Sequence, residues 1–320
     1  MPTGLSPAEV DAAQRLLLDD YLQSKGVTRY LAWYYTPMAL SFTDHLVPDA
    51  VVYDCMDELS AFQGAPPELI LREQKLFAKA DLVFAGGASL YESKRGQHGN
   101  VHLFPSSIDR RHFGAARKSM VDPADQAGIP EPRIGFFGVL DERLDRDLLG
   151  AIAKMRPDWH FVVIGPVVKI RQEDLPHADN LHYLGSKQYT ELPSYLANWT
   201  VAMLPFARNA STRFISPTKT PEYLAAGKPV VSTTIRDVVR PYGERGLVHI
   251  ADDPAEFVKA IELCLEPADP RWASKVDEYL NSTSWDKTYQ EMMAAISAVL
   301  ANRSQPAAGF AVNRRSGNHV

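Results

Sequence analysis

The chain is poor in the residues that would tie it to an oxidising compartment or to a metal. Its 320 residues include only two cysteines, Cys55 and Cys264, in different halves, which excludes a disulfide scaffold and fits a reducing cytosol. Two thiols alone cannot complete a zinc site, and the nine histidines show no H-E-x-x-H spacing, so no metal ligand is expected. A basic excess is also lacking. Lys and Arg number 34 against 39 Asp and Glu, a formal charge of -5, which makes nucleic acid a poor partner. No run approaches the roughly 20 apolar residues of a membrane span. The opening "MPTGLSPAEVDAAQ" has neither the basic start nor the apolar core of a secretory signal. A soluble, cytoplasmic protein is expected.

Two further motifs fail on inspection. "GG" at 86–87 follows a predicted strand, but the G-x-G-x-x-G spacing and its downstream acid are missing. "DRD" at 145–147 falls in a predicted helix, where side chains at i and i+2 diverge.

What is present is an alternation. After a helix with a capping box, Ser6 and Glu9 around Pro7, short apolar runs read as buried parallel strands: "YLAWYY" (30–35), "AVVYD" (50–54), "DLVFA" (81–85) and "VHLF" (101–104). Helical patterns fall between them near 37–46, 67–79 and 88–95. A second series follows from "RIGFFGV" through "HFVVIG", "LHYLG", "VAMLPF", "PVVST" and "LVHI". The fold class is therefore α/β, with two Rossmann-like domains facing across a cleft and the N-terminal one abbreviated. The expected division is an N-terminal domain over 1–115, a linker over 116–132, a second domain over 133–283, a closing helix over 284–302 and a disordered tail over 303–320.

The stretch "SPTKTPEYLAAGKPVVST" (216–233) carries chemistry. Ser216-Pro217 and Thr220-Pro221 are both cap-then-proline helix starts. Either choice places Lys219 and Glu222 near a helix N-terminus, where free N–H groups favour anions. A phosphate could be held there, and one carboxylate can accept from both hydroxyls of a ribose. From the residues alone, a capped helix with a solvated Lys and Glu is the commoner case.

This stretch resembles the nucleotide-sugar segment of GT-B glycosyltransferases of the retaining "group 1" class. The likeness extends to "VVYDCMDELSAF" (51–62), "ADLVFAGGASLYESKR" (80–95), "LFPSSIDRRHF" (103–113) and "SW" (284–285), so it spans about residues 30 to 300. The resemblance implies a donor ribose on Glu222 and a donor diphosphate on Lys219, Gly138 and Arg143. It also implies backbone contacts to the base near Gly185, with Ser216 and Thr218 in the same donor segment. For Arg143, an ion pair with a nearby acid is an equal alternative. Catalysis would be metal-independent and probe no cofactor beyond the donor: Lys219 and Arg143 stabilise the departing diphosphate. Asp54, Asp57 and Glu58 are expected at a strand end facing the cleft, with Asp57 chosen as acceptor contact or base. Ser106 and Asp109 are weaker candidates on a neighbouring loop.

The sequence also departs from that family. Phe214 stands where a second glutamate belongs, and Pro221 replaces an apolar helix former. The usual first strand and glycine-rich turn have no counterpart, through truncation or an abbreviated acceptor half. An open sheet edge would invite a second copy or a partner subunit. The function implied is transfer of a sugar from a nucleotide diphosphate sugar to a glycan or lipid-linked acceptor, in polysaccharide or glycoconjugate synthesis. The alternatives are a non-catalytic nucleotide-binding GT-B protein and a sugar-nucleotide epimerase. Peripheral membrane contact stays open, although the mixed charges of "AAQRLLLDDYL" favour docking onto its own domain.

Overall fold

The computed structural model describes residues 4–267 and 269–304. Two parallel sheets organise them. The first has the order β1 (Leu31–Tyr34), β2 (Ala50–Cys55), β3 (Leu82–Ala85), β4 (Val101–Leu103). The second contains β5 (Arg133–Phe137), β6 (His160–Ile164), β7 (Leu181–Tyr183), β8 (Val201–Leu204), β9 (Val230–Ser232) and β10 (His249–Ile250). Its spatial order is β10-β9-β8-β5-β6-β7. Strand order therefore reverses between β5 and β8, which pair through Ile134–Val201 and Gly135–Ala202. In open α/β sheets such a reversal opens a crevice beyond the carboxyl ends of the strands.

The strands form where the apolar runs predicted them, because a parallel sheet covered on both faces needs continuous apolar strands. Every residue of β2, β3 and β5 is buried. The capping box forms as read, with the Ser6 amide 2.7 Å from Glu9. The helix expected over 37–46 is instead a 3-10 turn, Pro37–Ala39, followed by Leu40–Thr43. Thr36 caps that turn through the Met38 amide at 3.2 Å.

Three parts depart from a plain reading of two separate domains. The segment expected as a linker packs on the second sheet: Gln126 is fully buried, and its Oε1 accepts from Trp199 Nε1 at 2.8 Å. The helix Trp285–Ser304 returns to the first sheet, where Ile296 packs with Val52, Leu82 and Phe84. Its last turn includes Arg303, which donates to the Asp49 carbonyl at 2.9 Å. The rest of the expected tail, from 305, lies outside the described residues. The helix Pro7–Ser24 buries no residue, contrary to docking by an apolar face. It touches its neighbours through Asp11–Ser41 and Asp19–His45, each at 2.7 Å, while Leu16 and Leu17 remain exposed. No helix among the described residues is long and apolar enough to cross a membrane.

The first unit also holds a buried charge cluster. Lys94 is 2% exposed and bridges Glu58 at 2.7 Å and Glu73 at 2.8 Å, while Tyr53 donates to Glu73 at 2.8 Å. Removing the ammonium strands two carboxylates in an apolar surround. Lys94→Ala is expected to lower stability by about 3–5 kcal/mol in urea unfolding at neutral pH. An unchanged midpoint would show that the cluster relaxes into water.

Candidate functional site

The carboxyl edge of β5, β6 and β7 is built on close backbone approach. The Gly138 amide donates to the Ile164 carbonyl at 2.8 Å, and the Gly165 amide donates to the Gly185 carbonyl at 2.9 Å. A Cβ on Gly165 would lie 1.8 Å from the Gly138 carbonyl oxygen, and one on Gly138 would lie 2.4 Å from Lys219 Cε. Only glycine lets these strand ends and the lysine share the space. The loop after β5 thus runs directly beneath the Lys219 side chain.

That lysine opens the helix Lys219–Ala225. Neither expected start is used. Thr218 is the capping residue, yet no side chain caps the helix. Pro221 falls in the first turn, where amides lack intrahelical partners, so its missing N–H costs little. The helix ends in a pair of bonds, Gly227 amide to Leu224 carbonyl at 2.9 Å and Lys228 amide to Tyr223 carbonyl at 3.0 Å. A glycine at a φ of +73° closes such a motif. The Phe137 amide donates to the Tyr223 hydroxyl at 2.9 Å, which fixes the helix on the end of β5.

Lys219 and Glu222 are both largely withdrawn from water. Burial pushes the lysine down from its ordinary value, partly offset by Glu222. Burial pushes Glu222 up to about 7, against the pull of Lys219. Tyr189 lies beside this pair: burial and then the Glu222 charge raise its hydroxyl. Its ring stacks on His112 with centroids 4.3 Å apart. Thr218 is exposed, and Ser216 packs against the first unit, 2.8 Å from where a Cβ on Gly87 would stand.

Arg143 takes up the ion-pair alternative. It is bidentate to buried Asp141, with Nη2 at 2.7 Å and Nε at 3.0 Å. Its guanidinium also lies over the Phe62 ring of the first unit, 5.4 Å from the centroid. Of the three acids expected to face the cleft, two are engaged elsewhere. Asp54 is buried and accepts from Trp33 Nε1 at 3.1 Å, and Glu58 is held by Lys94. Asp57 makes no side-chain hydrogen bond or ion pair among the described residues. Burial raises its carboxyl, and the charge of Arg143 opposes that rise. Asp109 is a helix cap, accepting from the His112 amide at 2.9 Å.

Residues 131–267 match the family model described as "Glycosyl transferases group 1". That segment is similar to a group 1 glycosyltransferase domain. TuaH of Bacillus subtilis (strain 168), named as a glycosyltransferase of teichuronic acid biosynthesis, is 24% identical over 298 residues, covering 87% of this chain and 74% of that protein. Sucrose-phosphate synthase from Thermosynechococcus elongatus superposes with a TM-score of 0.72 at 17% identity, over 94% of this chain and 82% of that one. Anabaena Alr3699/HepE in complex with UDP and glucose gives 0.69 at 16%, over 93% and 84%. The chain has the GT-B architecture, two Rossmann-like units, and the crevice at the β5–β8 reversal lies within the matched segment.

Sequence reasoning missed the partners that shape this crevice. Asp141 lies two residues before Arg143, and that spacing was the available signal. Phe62 and Tyr189 gave none, because they come from loops remote in sequence.

Glu222 generates a pH test. A carboxyl raised from 4.5 to about 7 holds its proton more tightly in the folded state. Its ionisation therefore subtracts stability as pH rises through that window, and the penalty is absent below it. Glu222→Gln should match the parent near pH 4.5 and exceed it in thermal stability above pH 7. A constant offset at every pH would rule the raised carboxyl out.

Proposed function

We propose that the protein transfers a sugar from a nucleotide diphosphate sugar, UDP-linked in the first instance, to a glycan or lipid-linked acceptor. The observation that carries this reading is the placement of Lys219 and Glu222 together at the strand-order reversal, over the glycine loop after β5. The TuaH and HepE likenesses support it, since one is named for polymer synthesis and the other is complexed with UDP. In this reading the diphosphate lies between Lys219, the Gly138 loop and Arg143, and the ribose hydroxyls donate to Glu222. Gly185 and Tyr189 border the base.

The chemistry is charge stabilisation of the departing diphosphate. Lys219 and Arg143 are fixed before substrate arrives, so little reorganisation is needed as charge develops. That arrangement supports a metal-independent reaction with no cofactor besides the donor, and the family resemblance makes it a retaining one. Asp57, near Arg143 and without a hydrogen-bond partner of its own, receives the acceptor hydroxyl.

The test is a calorimetric titration with UDP, followed by UDP release from UDP-glucose with and without acceptor lipid. Glu222→Ala should weaken UDP binding by about 1–3 kcal/mol, the scale of a charge-assisted bond, without unfolding. Lys219→Ala should slow transfer, and chelator should leave it unchanged. Unaltered UDP affinity in the Glu222 variant would remove that residue from the donor site. Release that needs added divalent metal would overturn the metal-independent chemistry.

A further inference from the structure

Beside the donor crevice, a separate cavity of about 610 Å³ is lined by four arginines, Arg208, Arg213, Arg236 and Arg240, with Asn209 and Thr234. Neither Lys219 nor Glu222 borders it. It lies between the loop after β8 and the segment after β9, at the carboxyl edge of the same sheet. Two bonds tie it to the phosphate loop: the Ala207 amide donates to the Arg143 carbonyl at 2.8 Å, and Asn209 Nδ2 donates to the Glu142 carbonyl at 2.8 Å. On the far side Arg236 pairs with Glu92 of the first unit. The cavity therefore stands at the seam of the two units, adjoining the place where the donor is read.

Its charge is not fully cancelled. Arg208 pairs with Asp252 at 3.0 Å, Arg240 with Glu244 at 2.8 Å, and Arg236 with Glu92. Asp252 is also engaged by the amide and hydroxyl of Thr234, each at 2.8 Å. Arg213 has no carboxylate partner among the described residues and rests over the Phe214 ring, 5.1 Å from its centroid. Four guanidinium groups thus face three carboxylates, and each ion pair uses one nitrogen of its arginine. A guanidinium carries five donors in a planar fork that matches phosphate and carboxylate. Hydroxyls of a neutral sugar need no such cluster.

We propose that this arginine cavity receives an anionic group, phosphate or carboxylate, carried by the acceptor. The assignment rests on the donor reading only for the word acceptor; the anion preference stands on the cavity itself. Arg213 and Arg240 supply the leftover donors, and the position at the seam lets an anchored acceptor present a hydroxyl to the crevice.

The experiment is calorimetry on the full chain, with UDP saturating and with UDP absent. The probes are a glycosyl phosphate, a short oligouronide and a neutral oligosaccharide of equal length. The parent should bind at least one anionic probe clearly better than the neutral one, with affinity falling as salt rises. Arg213→Gln/Arg240→Gln, both at exposed positions, should weaken that binding by about tenfold or more. Circular dichroism and UDP affinity should be unchanged in the variant. Whichever anionic probe is preferred identifies the group as phosphate or carboxylate. Equal binding of neutral and anionic probes, or undiminished anionic binding in the variant, overturns the proposal. A parent that ignores UDP yet keeps the arginine-dependent preference would sink the donor reading and leave this one standing.

Discussion

Two opposite charges one helical turn apart, withdrawn from water over the end of a parallel strand, impose the main constraint on this fold. Desolvation drives both Lys219 and Glu222 toward neutrality; each holds the other back, and Asp141 adds to the lysine's support while Arg143 opposes it. Such a pair is costly unless its surroundings supply close partners. The backbone answers with Gly138, whose missing side chain lets the lysine lie on the loop. Tyr223 then locks the helix to β5, so the pair cannot swing out to solvent without breaking a buried bond.

The same economy of small residues governs the seam between the units. Asp237 follows β9, and its carboxylate accepts from the Ser89 amide at 2.9 Å, so a residue of the second unit caps a helix of the first. A Cβ on Gly87 would lie 2.3 Å from that carboxylate, and one on Gly86 2.9 Å from the Met56 carbonyl. Gly87 thus lets the second unit close against the first, while Gly86 makes room for the Met56 backbone within the first unit. Burial raises the Asp237 carboxyl, and the Ser89 bonds hold it back. The seam is completed by Ser211 donating to the Ala61 carbonyl at 3.1 Å and by Phe214 against the first unit's core.

The sequence carried the sheet well and the seam poorly, for a physical reason. Strands such as "AVVYDC" and "HFVVI" announce themselves because burial on both faces demands unbroken apolar runs. Lys219 and Glu222 were placed near a helix start by the two cap-and-proline pairs, whereas Gly138 was singled out only by the family resemblance. The cluster Glu58–Lys94–Glu73 was not, since only the fold shows that a lysine late in a helix turns inward. The same holds for Asp237, whose role depends on a helix about 150 residues earlier in the chain. The helix start at Lys219 was misplaced because two serine- or threonine-proline pairs offered caps, and tertiary anchoring through Tyr223 outweighed both. Sequence patterns report local periodicity, whereas partners across a seam leave no periodic trace.

Phe214 shows how one substitution can change both sides of a site. Where the resembling family places a glutamate, this chain has a ring packed on the first unit's core. A carboxylate at that seam would need a compensating cation, and the nearest candidate, Arg213, would be drawn into an ion pair. The aromatic ring instead supports Arg213 by its face and leaves the guanidinium donors free. Lacking one negative charge beside the crevice and keeping Arg213 without a carboxylate partner among the described residues shift the local field in the same direction. An arrangement of that sign favours anionic partners on both sides of the loop after β8, which is the sense in which the crevice and the arginine cavity form one electrostatic surface.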